Sequence, residues 1–111
     1  NLIDPVCQAS ILRYSWFKNA GPNGAGPKEE ASCILFSNPA SQSARQNGTI
    51  RISEDEGQTW PRSFVVYPGG FAYSCLTQLA DGQIGLLFER DGYSAIRFIS
   101  LSPSTLGISI P

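Results

Sequence analysis

The segment Ser53–Trp60, SEDEGQTW, decides the fold. It lies between two short runs with strand character, Thr49–Ser53 and Ser63–Tyr67, and follows the pattern S-x-D-x-G-x-T-W. Each fixed position has a physical use. Asp55 accepts backbone N–H groups within its own turn. Gly57 supplies a backbone conformation with positive φ. Thr59 bonds back across the turn, and Trp60 buries a large ring under the hairpin. Ser53, Asp55, Gly57, Thr59 and Trp60 therefore read as a structural set that closes a strand–turn–strand unit.

Working outward, strand signals recur at short intervals, bounded by Gly, Pro, Asn or Ser, and helix signals are nearly absent. Seven strands are expected, at about Ala9–Ser15, Cys33–Ser37, Thr49–Ser53, Ser63–Tyr67, Ser74–Leu79, Ile84–Glu89 and Ala95–Ser100. Asp81-Gly82 marks a tight hairpin between two apolar runs. The longer connection FKNAGPNGAGPKEE, Phe17 to Glu30, is rich in Gly and Pro and is the place where disorder is expected. Four strands form one meander and the next three begin another, which suggests a repeated four-stranded module. The closing LGISIP is a weak candidate for the missing fourth strand. Four-stranded modules build β-propellers, and less than two of them cannot close a ring. A β-sandwich fits the same periodicity.

Composition narrows the function classes. The chain has 111 residues, 41% of them hydrophobic and 15% charged, with a formal net charge of −1. One modest domain with a real core is expected. Nucleic acid is not expected as a partner, since it calls for a clustered basic surface. With no histidine in the sequence, chemistry that needs imidazole is excluded within this chain. Cys7, Cys33 and Cys75 follow no zinc spacing. Each lies in an apolar stretch, the setting of small buried hydrophobes. An oxidising compartment would permit one disulfide, and sequence alone does not choose the pair. Asn47-Gly48-Thr49 fits an N-glycosylation sequon. No run approaches the length needed to span a membrane, and NLIDPVC has neither the basic start nor the apolar middle of a leader.

The pattern at Ser53–Trp60 resembles the Asp-box, or bacterial neuraminidase repeat, of sialidase-like propellers. Three other segments extend the resemblance. DPVCQASIL, from Asp4, is similar to the segment before the penultimate blade of exo-sialidases. LFSNPASQSARQNGTIRIS, from Leu35, resembles the segment carrying the third arginine of their substrate-binding triad, and Arg45 matches that arginine. FAYSCLTQLADGQIGLLFE, from Phe71, resembles the segment with a tyrosine nucleophile and a supporting glutamate, matched by Tyr73 and Glu89. The resemblance covers roughly Asp4 to Ser100. It implies an all-β fold, part of a six-bladed β-propeller, with one blade over about 6–67 and a partial blade over about 71–111.

The resemblance also implies a reaction: retaining hydrolysis of terminal α-linked sialic acids on sialylated glycans, with no metal or other cofactor. Sialic acid carries a carboxylate on its anomeric carbon, so a carboxylate nucleophile would meet a like charge. A neutral phenol avoids that repulsion, and sialidases are the known exception that uses one. Tyr73 is the implied nucleophile, Arg45 part of the carboxylate clamp, Gln8 a polar residue of the substrate pocket, and Glu89 a support for another arginine of the triad. In the family the Asp-box lies on the rim away from the active site, so Asp55 has no catalytic role. The family's acid/base aspartate, the glutamate that activates the tyrosine and the other two arginines have no counterpart here. Asp4 fits an Asp-Pro turn instead. The expected partners are therefore the remaining propeller blades as well as the glycan, in a secreted, periplasmic or lysosome-like compartment. A propeller that binds glycan without hydrolysing it is the alternative.

Overall fold

The computed structural model describes residues 2–19 and 26–109. Residues 20–25 of the Gly/Pro-rich connection, where disorder is expected, lie outside the described residues. The chain is an antiparallel meander: β1 (Ser10–Asn19), β2 (Lys28–Pro39), β3 (Gln46–Ser53), β4 (Arg62–Gln78), β5 (Ile84–Arg90) and β6 (Ala95–Leu101), followed by a 3-10 turn at Pro103–Leu106. Strands pair strictly in chain order. Among the described residues no helix is long and apolar enough to cross a membrane.

Two of the seven expected strands are one. Ser63–Tyr67 and Ser74–Leu79 run together as the 17-residue β4. Its first part, to Gly70, pairs with β3, and its second part, from Phe71, pairs with β5. The register slips on both sides of this change of partner, between Gln46 and Thr49 on β3 and between Phe71 and Ser74 on β4. Pro68-Gly69-Gly70 looks like a strand break in sequence because proline lacks a ladder donor and glycine weakens a strand. Here those residues bend a continuous strand from one sheet into the next. The fourth strand looked for at LGISIP is absent over Leu106–Ser109. Leu106 and Ile108 are buried instead, with Gly107 at φ 77° ending the 3-10 turn, and Ile110 and Pro111 lie outside the described residues.

The core fills the space between the two sheets. Tyr14, Cys33, Leu35, Ile50 and Ile52 come from β1–β3, and Phe71, Leu76, Ile84, Leu86 and Phe88 from the second half of β4 and from β5. Strand periodicity explains the set: Ala72, Ser74 and Leu76 point inward, and Tyr73, Cys75 and Thr77 outward. Polar clips tie the sheets where they meet. The Ser37 and Ser74 hydroxyls share a buried hydrogen bond of 2.7 Å. The Leu76 amide donates to Ser10 Oγ at 3.0 Å. Gln78 takes the Ser15 amide on its Oε1 and gives its Nε2 to the Ser15 carbonyl. Tyr14 reaches the Gly82 carbonyl in the Asp81-Gly82 hairpin.

The cysteines divide three ways. Cys33 is buried, its thiol pushed up to about 11 by desolvation. Cys7 is half-buried, and Cys75 is exposed because it shares the outward face with Tyr73, contrary to the expectation of a buried hydrophobe. All three are free thiols. In the sequon, the Asn47 side-chain amide donates to the Ala40 carbonyl at 3.2 Å, and the Thr49 hydroxyl donates to the Asn47 carbonyl at 2.8 Å.

The Ser53–Trp60 turn is built as its residues suggest. Asp55 Oδ1 accepts from the Ser53 hydroxyl and the Thr59 amide, both at 2.8 Å, and Oδ2 from the Thr59 hydroxyl at 2.5 Å. Gly57 has φ 87° and donates its amide to Ser53 Oγ at 2.9 Å. The Trp60 ring tilts against Phe36 with centroids 5.8 Å apart. The bonds from Thr59, then the one from Ser53, hold the Asp55 carboxyl down to about 2, against an ordinary 3.8.

This packing generates two predictions, both for the complete protein. A β-carbon on Gly48 would stand 2.0 Å from the Phe71 ring. Gly48→Ala is therefore expected to destabilise by about 1–3 kcal/mol, the usual cost of overpacking a core, as read from urea unfolding. The second concerns the turn. A carboxyl whose pKa falls on folding stabilises above its unfolded value, and that stabilisation is lost as pH drops through the folded value. Wild type should melt above Asp55→Asn at neutral pH, with the gap closing between about pH 4 and pH 2; a gap that does not change with pH would show that ionised Asp55 is not what holds the turn.

Candidate functional site

Arg45, Tyr73, Glu89 and Gln8 come together at the end of the sheets opposite the Ser53–Trp60 turn. The separation follows from β3, which leaves Arg45 at its start and reaches Ser53 at its end. Eight residues at about 3.3 Å each put roughly 25 Å between the two ends. Ser53, Asp55, Gly57, Thr59 and Trp60 therefore have no part in the cluster.

Tyr73 stands on the outward face of β4, two residues past the point where the strand changes partner, with 46% of its surface exposed. Its backbone amide donates to Glu89 Oε1 at 3.2 Å across the β4–β5 ladder. The register irregularity between Phe71 and Ser74 leaves that amide to a side chain instead of a ladder carbonyl. Glu89 thus braces the backbone that carries Tyr73. Gln8, Tyr73 and Glu89 line one open cavity of about 240 Å³, whose walls are otherwise mostly Ser74, Cys75, Leu87 and Ile96.

Arg45 ends the loop between β2 and β3. The Phe71 amide donates to the Arg45 carbonyl at 2.9 Å, so this loop is fastened to β4 just before Tyr73. The guanidinium carbon lies 5.5 Å from the centre of the Tyr73 ring, within cation–π range. Nη2 donates to the Val6 carbonyl at 3.0 Å and Nη1 to the Tyr93 hydroxyl at 2.5 Å. The bond to Tyr93 raises the Arg45 pKa above its ordinary value, so the site keeps a permanent positive charge. Asp4 is occupied nearby: one carboxylate oxygen takes the Val6 and Cys7 amides at 3.0 Å and the other the Asn38 side chain at 3.1 Å. It shapes the turn that presents Val6 to Arg45 and does not enter the cavity.

Two residues of this neighbourhood escaped the sequence reading. Cys75 was legible from alternation alone, two positions after Tyr73 on the same face. Tyr93 follows Asp91-Gly92, a turn signal between two apolar runs, but nothing in the pattern points its side chain at an arginine 48 positions earlier. The arrangement as a whole offers a guanidinium with donors that the described residues do not use, an accessible phenol beside it and a carboxylate behind the phenol's backbone. Such a set suits a ligand that carries a carboxylate next to an electrophilic carbon.

No protein-family model matches the chain. Individual relatives do. A sialidase of Micromonospora viridifaciens is 45% identical over 107 residues, which are 96% of this chain and 15% of that protein. Among solved structures, the Hadza microbial sialidase Hz136 superposes with a TM-score of 0.70 at 32% identity, over 95% of this chain and 19% of that one. A leech intramolecular trans-sialidase, solved with 2,7-anhydro-Neu5Ac, superposes with a TM-score of 0.66 at 31% identity, over 90% of this chain and 16% of that one. The chain thus spans less than a fifth of each of these three proteins. The matches cover nearly all of the chain, and the chain belongs to the sialidase (neuraminidase) family, as part of its β-propeller.

Proposed function

We propose that the complete protein is an exo-α-sialidase that hydrolyses terminal α-linked sialic acids with retention of configuration, and that this chain supplies its nucleophile and part of its carboxylate clamp. The observation that carries the reading is the placement of the Arg45 guanidinium 5.5 Å from the Tyr73 ring. In the proposed reaction Arg45 grips the substrate carboxylate, whose charge would repel a carboxylate nucleophile. The Tyr73 oxygen attacks the anomeric carbon, its proton passing to a base on another blade. The aglycone oxygen leaves with a proton from an acid that this chain also does not contain. Water then attacks the same carbon, and the bond to Tyr73 breaks, giving back the phenol and releasing the sugar with two inversions, hence net retention. Gln8 lines the pocket beside Tyr73, and Glu89 holds the Tyr73 backbone while its remaining oxygen is free to pair with a further arginine of the clamp.

The rest of the propeller is the proposed partner. One blade spans about 6–67 and a partial blade about 71–111. Ile11, Phe17 and Val65 on the first and Leu87, Ile96 and Phe98 on the second are exposed. Apolar surface of this kind fits neighbouring blades that cover it. The likeness to an intramolecular trans-sialidase brings a second outcome for the same tyrosyl intermediate: attack by a hydroxyl of the bound sugar in place of water, which would release an anhydro sugar.

Two predictions test the assignment in the complete protein. A fluorinated sialosyl donor should label the peptide that contains Tyr73, and Tyr73→Phe should fold normally while retaining hydrolysis collapses; a label on a carboxylate, or full retaining activity in Tyr73→Phe, would make Tyr73 an ordinary strand residue. Replacing Arg45 by lysine keeps the charge and loses the fork. Affinity for the 2,3-unsaturated analogue of sialic acid should fall by about 1.5–3 kcal/mol, the range for a hydrogen bond to a charged group, as read by calorimetry. Product analysis separates free sialic acid from an anhydro sugar.

A further inference from the structure

We propose that Tyr93 is a positioning residue for Arg45, its hydroxyl holding the guanidinium at the angle from which the free donors meet the substrate carboxylate. The inference rests on the reading of Arg45 as a carboxylate clamp.

The turn that carries Tyr93 is unusual. Asp91, Gly92 and Tyr93 have φ of 53°, 66° and 69° in succession. Left-handed backbone suits glycine, and a bulky aromatic side chain is a poor occupant of it. Such conformations persist only where the surroundings over-determine them, and they cluster at functional sites. The surroundings here are specific. The Tyr67 hydroxyl lies 2.8 Å from both Asp91 carboxylate oxygens, and Arg90 Nη1 donates to Oδ2 at 3.2 Å. The Asp91 amide donates to the Gly70 carbonyl at 3.0 Å, and a β-carbon on Gly70 would come within 3.0 Å of the Asp91 backbone. The turn is thus docked on the same Gly70 at which β4 changes partner.

Core packing does not explain the tyrosine, since 58% of its surface is exposed. Its hydroxyl instead accepts Arg45 Nη1. A guanidinium has five N–H donors; among the described residues the Val6 carbonyl and Tyr93 take two, and five less two leaves three, enough for a bidentate carboxylate. A neutral phenol also fixes the group without cancelling its charge. An aspartate or glutamate in that place would hold Arg45 more strongly and compete with the substrate's own carboxylate.

A double-mutant cycle in the complete protein tests this, with the 2,3-unsaturated analogue of sialic acid as the probe and Tyr93→Phe, Arg45→Lys and the double variant as the set. Tyr93→Phe should weaken binding about tenfold and raise KM with little change in kcat, its melting temperature staying at the wild-type value. Within Arg45→Lys the same change should cost almost nothing more, because the two residues act as a unit. If Tyr93→Phe binds as wild type does while Arg45→Lys is impaired, this inference fails and the clamp stands. A Tyr93→Phe loss repeated in full beside Arg45→Lys also overturns it. If Arg45→Lys itself binds normally, the clamp reading fails and takes this inference with it.

Discussion

The change of partner in β4 is the constraint on which the rest depends. A single strand serves two sheets, and it must bend between them without losing its ladder on either side. Pro68 withholds a donor where the ladder to β3 is ending. Gly70 lets the Asp91 backbone approach to a distance that any side chain would block. Phe71 then drops its ring over Gly48, where no β-carbon stands in the way, and stacks on Phe88 at 4.8 Å. The same residue gives its amide to the Arg45 carbonyl. One bend thus joins the β2–β3 loop, the β5–β6 turn and the strand that carries Tyr73. The distance between Arg45 and Tyr73 is set by backbone bonds and ring packing, with side-chain flexibility entering last.

Electrostatics at this end of the sheets follows from which groups are charged. Arg45 has two phenols and a backbone carbonyl as its described partners, all neutral. Glu89 spends one oxygen on a backbone amide. A guanidinium held by neutral groups remains attractive to an anion, whereas one already paired with a carboxylate must break that pair to bind. Surface ion pairs elsewhere show the contrast: Arg13 with Glu56 and Arg62 with Glu54 are matched to carboxylates, and each serves only to fasten a turn.

Local chemistry was legible in the sequence, and what depended on distance was not. The Ser53–Trp60 turn could be read bond by bond because all its partners lie within eight positions of one another. Strand alternation through β4 puts Tyr73 and Cys75 on one outward face, but the sequence reading began that strand at Ser74 and took Tyr73 from the family resemblance alone. The single strand β4 was not legible, since Pro68-Gly69-Gly70 carries the same signal whether a strand ends or bends, and only packing against Gly48 and Asp91 selects the bend. LGISIP has strand composition, but over residues 106–109 Leu106 and Ile108 are buried in the core instead of extending the ladder beyond β6. Tyr93 was invisible for a related reason: its partner is far along the chain, and the left-handed turn that aims it is not encoded by any glycine at its own position.

The two ends of the meander differ in how fully they spend their polar groups. At the Asp55 end the turn is closed upon itself. Both carboxylate oxygens are taken by Ser53 and Thr59, the Ser53 hydroxyl takes the Gly57 amide, and Trp60 lies against Phe36. A charge so completely satisfied is worth more to the fold than to any ligand, which is why its pKa sits low and its chemistry is silent. At the other end, Arg45 keeps donors beyond those its neighbours use, and Tyr73 stands exposed beside it. Folding stability alone favours the first arrangement, since an unspent donor adds nothing to the folded state. A protein that keeps a bent strand, a left-handed tyrosine and an arginine with donors to spare in one place has given up stability there, and a carboxylate bound between them would complete the hydrogen bonding that the fold leaves open.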